Sequence, residues 1–242
     1  MKKSILTKIV LGSMVAWSLS ASFAYADTKV QLERRIVDAK QVMSEVMGIP
    51  DQSIPEELLA KCKAVAIYPS VLKVGFIFGG RFGKGVVLRR DEQTGQWGAV
   101  AFSTIGGGSW GLQIGGQATD LVLVLMNERG LDGLLNSKFT LGTDVSVAAG
   151  PVGRGTQAAT DLSLQAGILS YSRSRGLFAG LALDGSVVTQ DNGSNTEYYG
   201  TAINSREILF DRNVSVQPSS KILVEALNEY SARWGKRSHA AR

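Results

Sequence analysis

Between residues 64 and 116 the chain reads as short apolar segments punctuated by glycine. The segments read AVAIYP, KVGFIFGG, GKGVVLRR, WGAVAFSTIG and SWGLQIGG, with Thr94-Gly95 as a turn signal between two of them. Segments of this length bounded by glycine are strand-like. Parallel strands need crossovers of a dozen or more residues, and the gaps here are too short for that. The pattern predicts an antiparallel meander. Further strands are expected in TDVSVAAG, DLSLQAGILSYSR and GLFAGLALDGSVV.

Helical periodicity lies mainly outside this block. Over residues 28–47, Leu32, Ile36, Ala39, Met43 and Val46 recur on one helical face, while Glu33, Arg34, Arg35, Asp38 and Lys40 fall elsewhere. Gly48-Ile49-Pro50 ends that helix, and Ser53 is the expected N-cap of a second, with Glu56 and Glu57 in its first turn. The apolar run DLVLVLMNERGLDGLLN, residues 120–136, reads as a buried central helix, with Asp120 near its start and Gly130 just past its end. A short helix around NTEYYG and one over 218–233, opened by Pro218, complete the pattern. The expected fold is a single α+β domain over residues 27–233. Its glycine-rich, mainly antiparallel sheet or partly closed barrel is covered by an N-terminal amphipathic helix, a central apolar helix and a C-terminal helix.

The ends carry different signals. Lys2, Lys3 and Lys8 precede the apolar run IVLGSMVAWSLSASFA, which closes on Ala24-Tyr25-Ala26. A charged start, an apolar centre and an A-x-A site describe a secretory leader over residues 1–26, with Asp27 as the expected mature N-terminus. The run is short for a membrane-spanning helix. Export to a periplasmic or extracellular location follows. The whole sequence has 26 basic residues against 21 acidic ones, and three of the lysines belong to the leader. The remaining basic excess sits in the tail, residues 234–242, with Lys236, Arg237 and Arg242 following Arg233. The body is nearly neutral, which excludes a diffuse nucleic-acid-binding field. Cys62, the only cysteine, excludes an intrachain disulfide and reads as a small buried hydrophobe.

Two glycine motifs resemble catalytic ones and fail on chemistry. GGRFGKG, residues 79–85, has Phe78 where the first P-loop glycine belongs and Gly85 where a metal-binding Ser or Thr is needed, and a β-rich segment follows it. It reads as a hairpin turn. GGSWG, residues 107–111, matches a nucleophile elbow, but the sole histidine is His239, in the tail. The missing histidine equally removes a Cys62 dyad and histidine-based zinc sites. Asp120, Asp144, Asp161 and Asp184 stand near segment boundaries, where capping and turn roles fit. No cofactor is expected.

The basic side chains are more informative. Lys73, Arg81, Lys84, Arg89 and Arg90 surround the first hairpin, and Arg173 and Arg175 are spaced to share one strand face. Such pairs suit phosphate oxygens, and they also blunt a strand edge. The N-terminal helix has the same two readings. Its stripe packs on the sheet, or it lies on an anionic bilayer with basic residues flanking it.

Five stretches then carry a resemblance. IPEELLAKCKAVAIYPSVLKVGFIFGGRFGKGVVLRR, GQWGAVAFSTIGGGSWGLQIGGQATDLVLVLMN, KFTLGTDVSVAAGPVGR, YSRSRGLFAGLALDGSVV and NTEYYG run in the order found in the SYLF-domain family, which the chain resembles over nearly all of residues 30–230. Asp184 and Thr143 are mild departures, where Glu and Ala are common. The resemblance implies affinity for anionic phospholipids, phosphoinositides in eukaryotic members, and some fungal and animal members bind or bundle actin. Membrane binding in those members is associated with an amphipathic helix that maps onto residues 28–47.

The combined expectation is a non-enzymatic binder of anionic phospholipid. The residues expected to contact lipid are Leu32, Arg34, Arg35, Ile36, Lys40 and Met43 on the helix, with Lys73, Arg81, Lys84, Arg173 and Arg175 on the strands. The alternative is an envelope structural or protein-interaction module with an unidentified protein partner, actin entering only by analogy.

Overall fold

The computed structural model describes residues 27–49, 53–75, 78–110, 115–136, 138–153, 166–174, 177–178 and 183–240. The leader, Asp161 and Arg175 lie outside them. In chain order the elements are α1 (Lys29–Met47), α2 (Glu56–Lys61), β1 (Ala64–Gly75), β2 (Phe78–Arg90), β3 (Trp97–Trp110), β4 (Gly115–Leu125), α3 (Glu128–Leu135), β5 (Lys138–Thr140), β6 (Val147–Ala149), β7 (Ile168–Ser174), β8 (Leu177–Phe178), β9 (Val187–Gln190), α4 (Asn192–Tyr199), α5 (Ser205–Leu209), a 3-10 turn (Pro218–Ser220) and α6 (Lys221–Ala240).

The strands form one sheet in the order β5-β9-β3-β2-β1-β4-β7-β6, with β8 added on β7. It curls into a half-barrel. β1, β2 and β3 form the expected antiparallel meander, but β4 departs from it, pairing with β1 and not with β3, which gives the Greek-key order 3-2-1-4. The β6–β7 pair is parallel.

Side chains alternate strictly along the centre because successive residues of a strand point to opposite faces. Val65 and Ile67 of β1 join one core with Val86, Leu88, Val122 and Val124, under α1 and α6. Ala64, Ala66 and Tyr68 join a second core on the other face, with Leu121, Leu123 and Ile208. Polar bonds fix the helices in place. Asn195 of α4 accepts from the Phe102 amide at 2.8 Å, Tyr199 donates to the Val100 carbonyl at 2.6 Å, and the Trp97 indole donates to Ser231 of α6 at 2.9 Å.

This two-sided burial corrects one expectation. Residues 120–125 are strand, not the first half of a central helix. Leu121 through Leu125 are all buried, odd-numbered residues in one core and even-numbered ones in the other. A strand covered on both faces has no polar alternation, so its apolar run is indistinguishable from that of a buried helix. The helix begins only at Glu128. Asn127 caps it by accepting from the Gly130 amide, so Gly130 lies in its first turn.

GGRFGKG is also corrected. It lies within β2 and is no turn: Gly79, Arg81 and Gly83 pair with Ser109, Gly107 and Ile105 of β3. Gly83 and Gly85 serve close approach. A Cβ on Gly85 would sit 2.4 Å from the Ile67 carbonyl oxygen and from a Tyr68 ring carbon. The expected turn at Thr94-Gly95 does hold, with Gly95 at φ +72°. The second helix is capped by Pro55 in place of Ser53, and the last helix runs beyond 233 to Ala240.

The ladder of β1 breaks once. Its register against β2 and β4 shifts by one residue around Pro69-Ser70, a β-bulge, and Ser70 takes φ +62°. The Asp120 carboxylate accepts the Ser70 amide at 3.1 Å. That is a turn role, as Asp144 also plays for the Thr140 amide.

The close approach at Gly85 predicts that Gly85→Ala destabilises the fold by about 1–3 kcal/mol, the usual cost of forcing extra atoms into a packed site. Gly108→Ala, at a position with open space around it, should change stability little. Urea unfolding of the two variants measures the contrast.

Candidate functional site

The candidate site begins at Asp27, immediately before α1. One carboxylate oxygen of Asp27 receives both Arg35 of α1, at 2.6 Å, and Lys84 of β2, at 2.7 Å. The start of the helix is thereby tied to the middle of the sheet. Thr28 supports it by donating its amide to the Gln31 side chain at 2.9 Å. Arg35 is buried, with its guanidinium 5.6 Å from the centre of the Phe102 ring. Burial alone would raise the Asp27 pKa. The hydrogen bonds and charges of Lys84 and Arg35 outweigh it and hold the carboxyl below its ordinary value.

Beside this clamp lies an open groove of about 270 Å³, lined among others by Arg34, Arg35, Asp38, Leu72, Phe82 and Lys84. Three of the expected lipid contacts, Arg34, Arg35 and Lys84, therefore meet here. Their field is tempered, because Asp27 and Asp38 place two carboxylates among three cations.

The remaining expected contacts are dispersed. Leu32, Ile36 and Met43 are fully buried in the core under the sheet's helical face. This corrects their expected role as a stripe for insertion. Withdrawing such side chains from a packed core costs roughly 2–5 kcal/mol each. The helix uses its stripe to hold itself on the sheet. Lys40 is partly buried further along α1, outside the groove lining.

Arg173 pairs with Glu45 of α1, at the opposite end of the helix from the clamp. The Glu45 carboxyl is held below its ordinary value, first by Gln41 and also by Arg173, against the opposing effect of burial. Lys73 and Arg81 face each other across β1 and β2 but point to the other side of the sheet from Leu72 and Phe82. Arg81 is buried there, and its pKa is lowered by desolvation against the pull of Asp184. These two cations cannot share a ligand surface with Arg34 and Lys84.

Sequence reasoning missed Asp27 as an ion-pair centre and missed Leu72, Val74 and Phe82 as surface residues. The alternation Leu72-Lys73-Val74 was the available signal, but only the bulge decides which residues face out. Cys62 is buried and its thiol is pushed up to about 12 by desolvation, as a structural cysteine requires. Among the described residues no group of three or more His, Cys, Asp or Glu side chains is placed to hold a metal ion. No described helix is long and apolar enough to cross a membrane.

A glycine-rich, mainly antiparallel half-barrel with α1 and α6 on one face, α5 on the other and a mixed-charge surface groove defines an α+β domain with a candidate binding surface. The family model described as "Ysc84: Las17-binding protein actin regulator" matches residues 106–230, and the chain belongs to this family, the Ysc84/SYLF-domain proteins. It is similar to SH3 domain-containing YSC84-like protein 1 of Rattus norvegicus, 35% identical over 186 residues that make up 76% of this chain and 54% of the relative. Protein YSC84 of Saccharomyces cerevisiae is 35% identical over 199 residues, 81% of this chain and 42% of the relative. LAS seventeen-binding protein 3 of the same species is 36% identical over 172 residues, 70% and 37% respectively. The chain thus spans about half the length of these relatives or less.

The clamp predicts a pH-dependent stability. A carboxylate with a lowered folded pKa stabilises the fold above its unfolded pKa of about 3.9, and that contribution is lost as pH falls through the folded value. Asp27→Asn should lower stability at pH 7 by about 1.5–3 kcal/mol, the usual worth of hydrogen bonds to charged groups. The gap from the unsubstituted chain should narrow in denaturant unfolding near pH 3.

Proposed function

We propose that this chain is a non-enzymatic, peripheral binder of anionic phospholipid, exported by the leader at residues 1–26 to the periplasm or beyond. The observation that carries the reading is the convergence of Arg34, Arg35 and Lys84 in one groove beside exposed Leu72 and Phe82. Guanidinium and ammonium groups next to apolar side chains match a lipid headgroup lying above its acyl chains. Arg34, exposed on α1, is the cation best placed to meet a phosphate without disturbing the clamp.

Magnitudes set the expected strength. A basic side chain near an anionic membrane contributes about 1 kcal/mol. With Asp27 and Asp38 opposing three cations, electrostatics alone gives weak, salt-screened binding.

A second reading rests on the names of the relatives. Two yeast proteins similar to this chain are named for binding LAS seventeen or for the Ysc84 family, and the family model is described as an actin regulator. A protein-interaction role for the same domain follows from that likeness. Actin itself is a poor partner for an exported chain.

Co-sedimentation of residues 27–242 with phosphatidylcholine and phosphatidylglycerol vesicles, at low and high salt, tests the proposal. Binding confined to the anionic vesicles and weakened by salt is expected. Arg34→Glu, which removes one cation and adds one anion, should weaken it by about tenfold or more at ~1 kcal/mol per charge. Absence of binding to either vesicle, together with salt-insensitive self-association, would favour the interaction module.

A further inference from the structure

On the sheet face that carries α1, the ends of the central strands extend past the helix. Beyond the bulge at Pro69-Ser70 the even-numbered residues of β1 turn to this face, while Val71 turns into the opposite core. Leu72 and Val74 stand on it at 53% and 58% exposure, and Phe82, directly across from Leu72 on β2, is 51% exposed. Ala118 of β4 pairs with Leu72 on the other side and is also exposed. The apolar surface therefore runs continuously across three strands.

Its neighbours leave it bare. Val74 lies opposite Gly80, and Phe82 lies opposite Gly106 of β3. Those glycines place no side chain beside Val74 on β2 or beside Phe82 on β3, and the large residues project from the sheet. At the rim stand Arg34 and Lys84, in the groove that Leu72 and Phe82 also line.

We propose that the Leu72, Val74 and Phe82 patch of the β1–β2 hairpin is the element that inserts among the acyl chains of an anionic bilayer, while Arg34 and Lys84 meet the phosphates above it. This rests on the lipid-binding reading and relocates its apolar half from α1 to the sheet. Three features choose a bilayer over a protein. Both strands are already paired on both edges, so no partner strand can add to them. The patch is a few side chains, whereas a stable protein interface takes about 20–30 residues a side. Apolar residues with cations along one edge, here Arg34 and Lys84, form the charge pattern of an interfacial anchor.

Two experiments test this, both on residues 27–242. The first labels Phe82→Cys with an environment-sensitive nitrobenzoxadiazole dye. Cys62 stays unlabelled because it is buried and its thiol is pushed up to about 12. Gln93→Cys, in the exposed turn after β2, is the control. It lies more than 25 Å from Phe82, at about 3.3 Å per strand residue. Phosphatidylglycerol vesicles should blue-shift and brighten the dye at position 82 and leave it unchanged at 93.

The second experiment replaces Leu72 and Phe82 together by Glu. Because both are more than half exposed, the thermal midpoint should stay within a few degrees of the unsubstituted chain, while vesicle affinity falls at least tenfold. Retained affinity in the double variant, or equal dye responses at the two positions, would overturn the insertion site and leave anionic lipid binding standing. If the unsubstituted chain binds no vesicle, the parent reading and this one fall together. A lipid-free dimer in size-exclusion chromatography that the double variant abolishes would reassign the patch to a second copy of the chain.

Discussion

The architecture depends on two strand segments that are buried on both faces, residues 64–68 of β1 and 121–125 of β4. A strand in that position must be apolar at every residue, cannot donate a surface, and obliges the chain to supply covering layers on both sides. One layer is α1 with α6, held by Leu32, Ile36, Met43 and Leu227. The other is assembled from α5 and irregular segments around Leu141, Leu183 and Ile203. Most other features serve this requirement, including the capping of α4 by Asp191 and the side-chain bonds from Asn195 and Trp97.

That obligation also decides what α1 can do. An amphipathic helix has a single apolar face, and here the face is committed to the core. What remains outward is polar: Arg34, Asp38 and Gln41, with Val30 and Val37 as isolated exceptions. The helix becomes a carrier of charge, locked to the sheet through Asp27, Arg35 and Lys84. A surface for an amphiphile must then combine residues from helix and strand, as the groove at Arg34 and Leu72 does.

Much of the fold could be read from the sequence. Helical periodicity placed α1 within a residue at its start, because Leu32 to Val46 keep one face without interruption. Thr94-Gly95 announced its turn, since Gly95 requires a positive φ. The failures share a cause. Leu121 to Leu125 were read as helix and GGRFGKG as a turn because local pattern cannot report what lies on the far face of a strand. Glycine at position 85 is demanded by Tyr68 and Ile67, residues 17 and 18 positions earlier, and its own neighbours in sequence carry no trace of them. The site was half legible. Arg34, Arg35 and Lys84 could be named as cations, but their meeting at Asp27, and the separation of Lys73 and Arg81 onto the opposite face, arise only from pairing register.

The bulge at Ser70 sets that register. One extra residue inverts the odd-even phase of everything downstream in β1, so the hairpin's outward and inward identities depend on that residue staying bulged out of the ladder. Loss of that one residue would remove the bulge and keep Leu72 and Val74 on the helical face, whereas straightening the strand at unchanged length would exchange them for Val71 and Lys73.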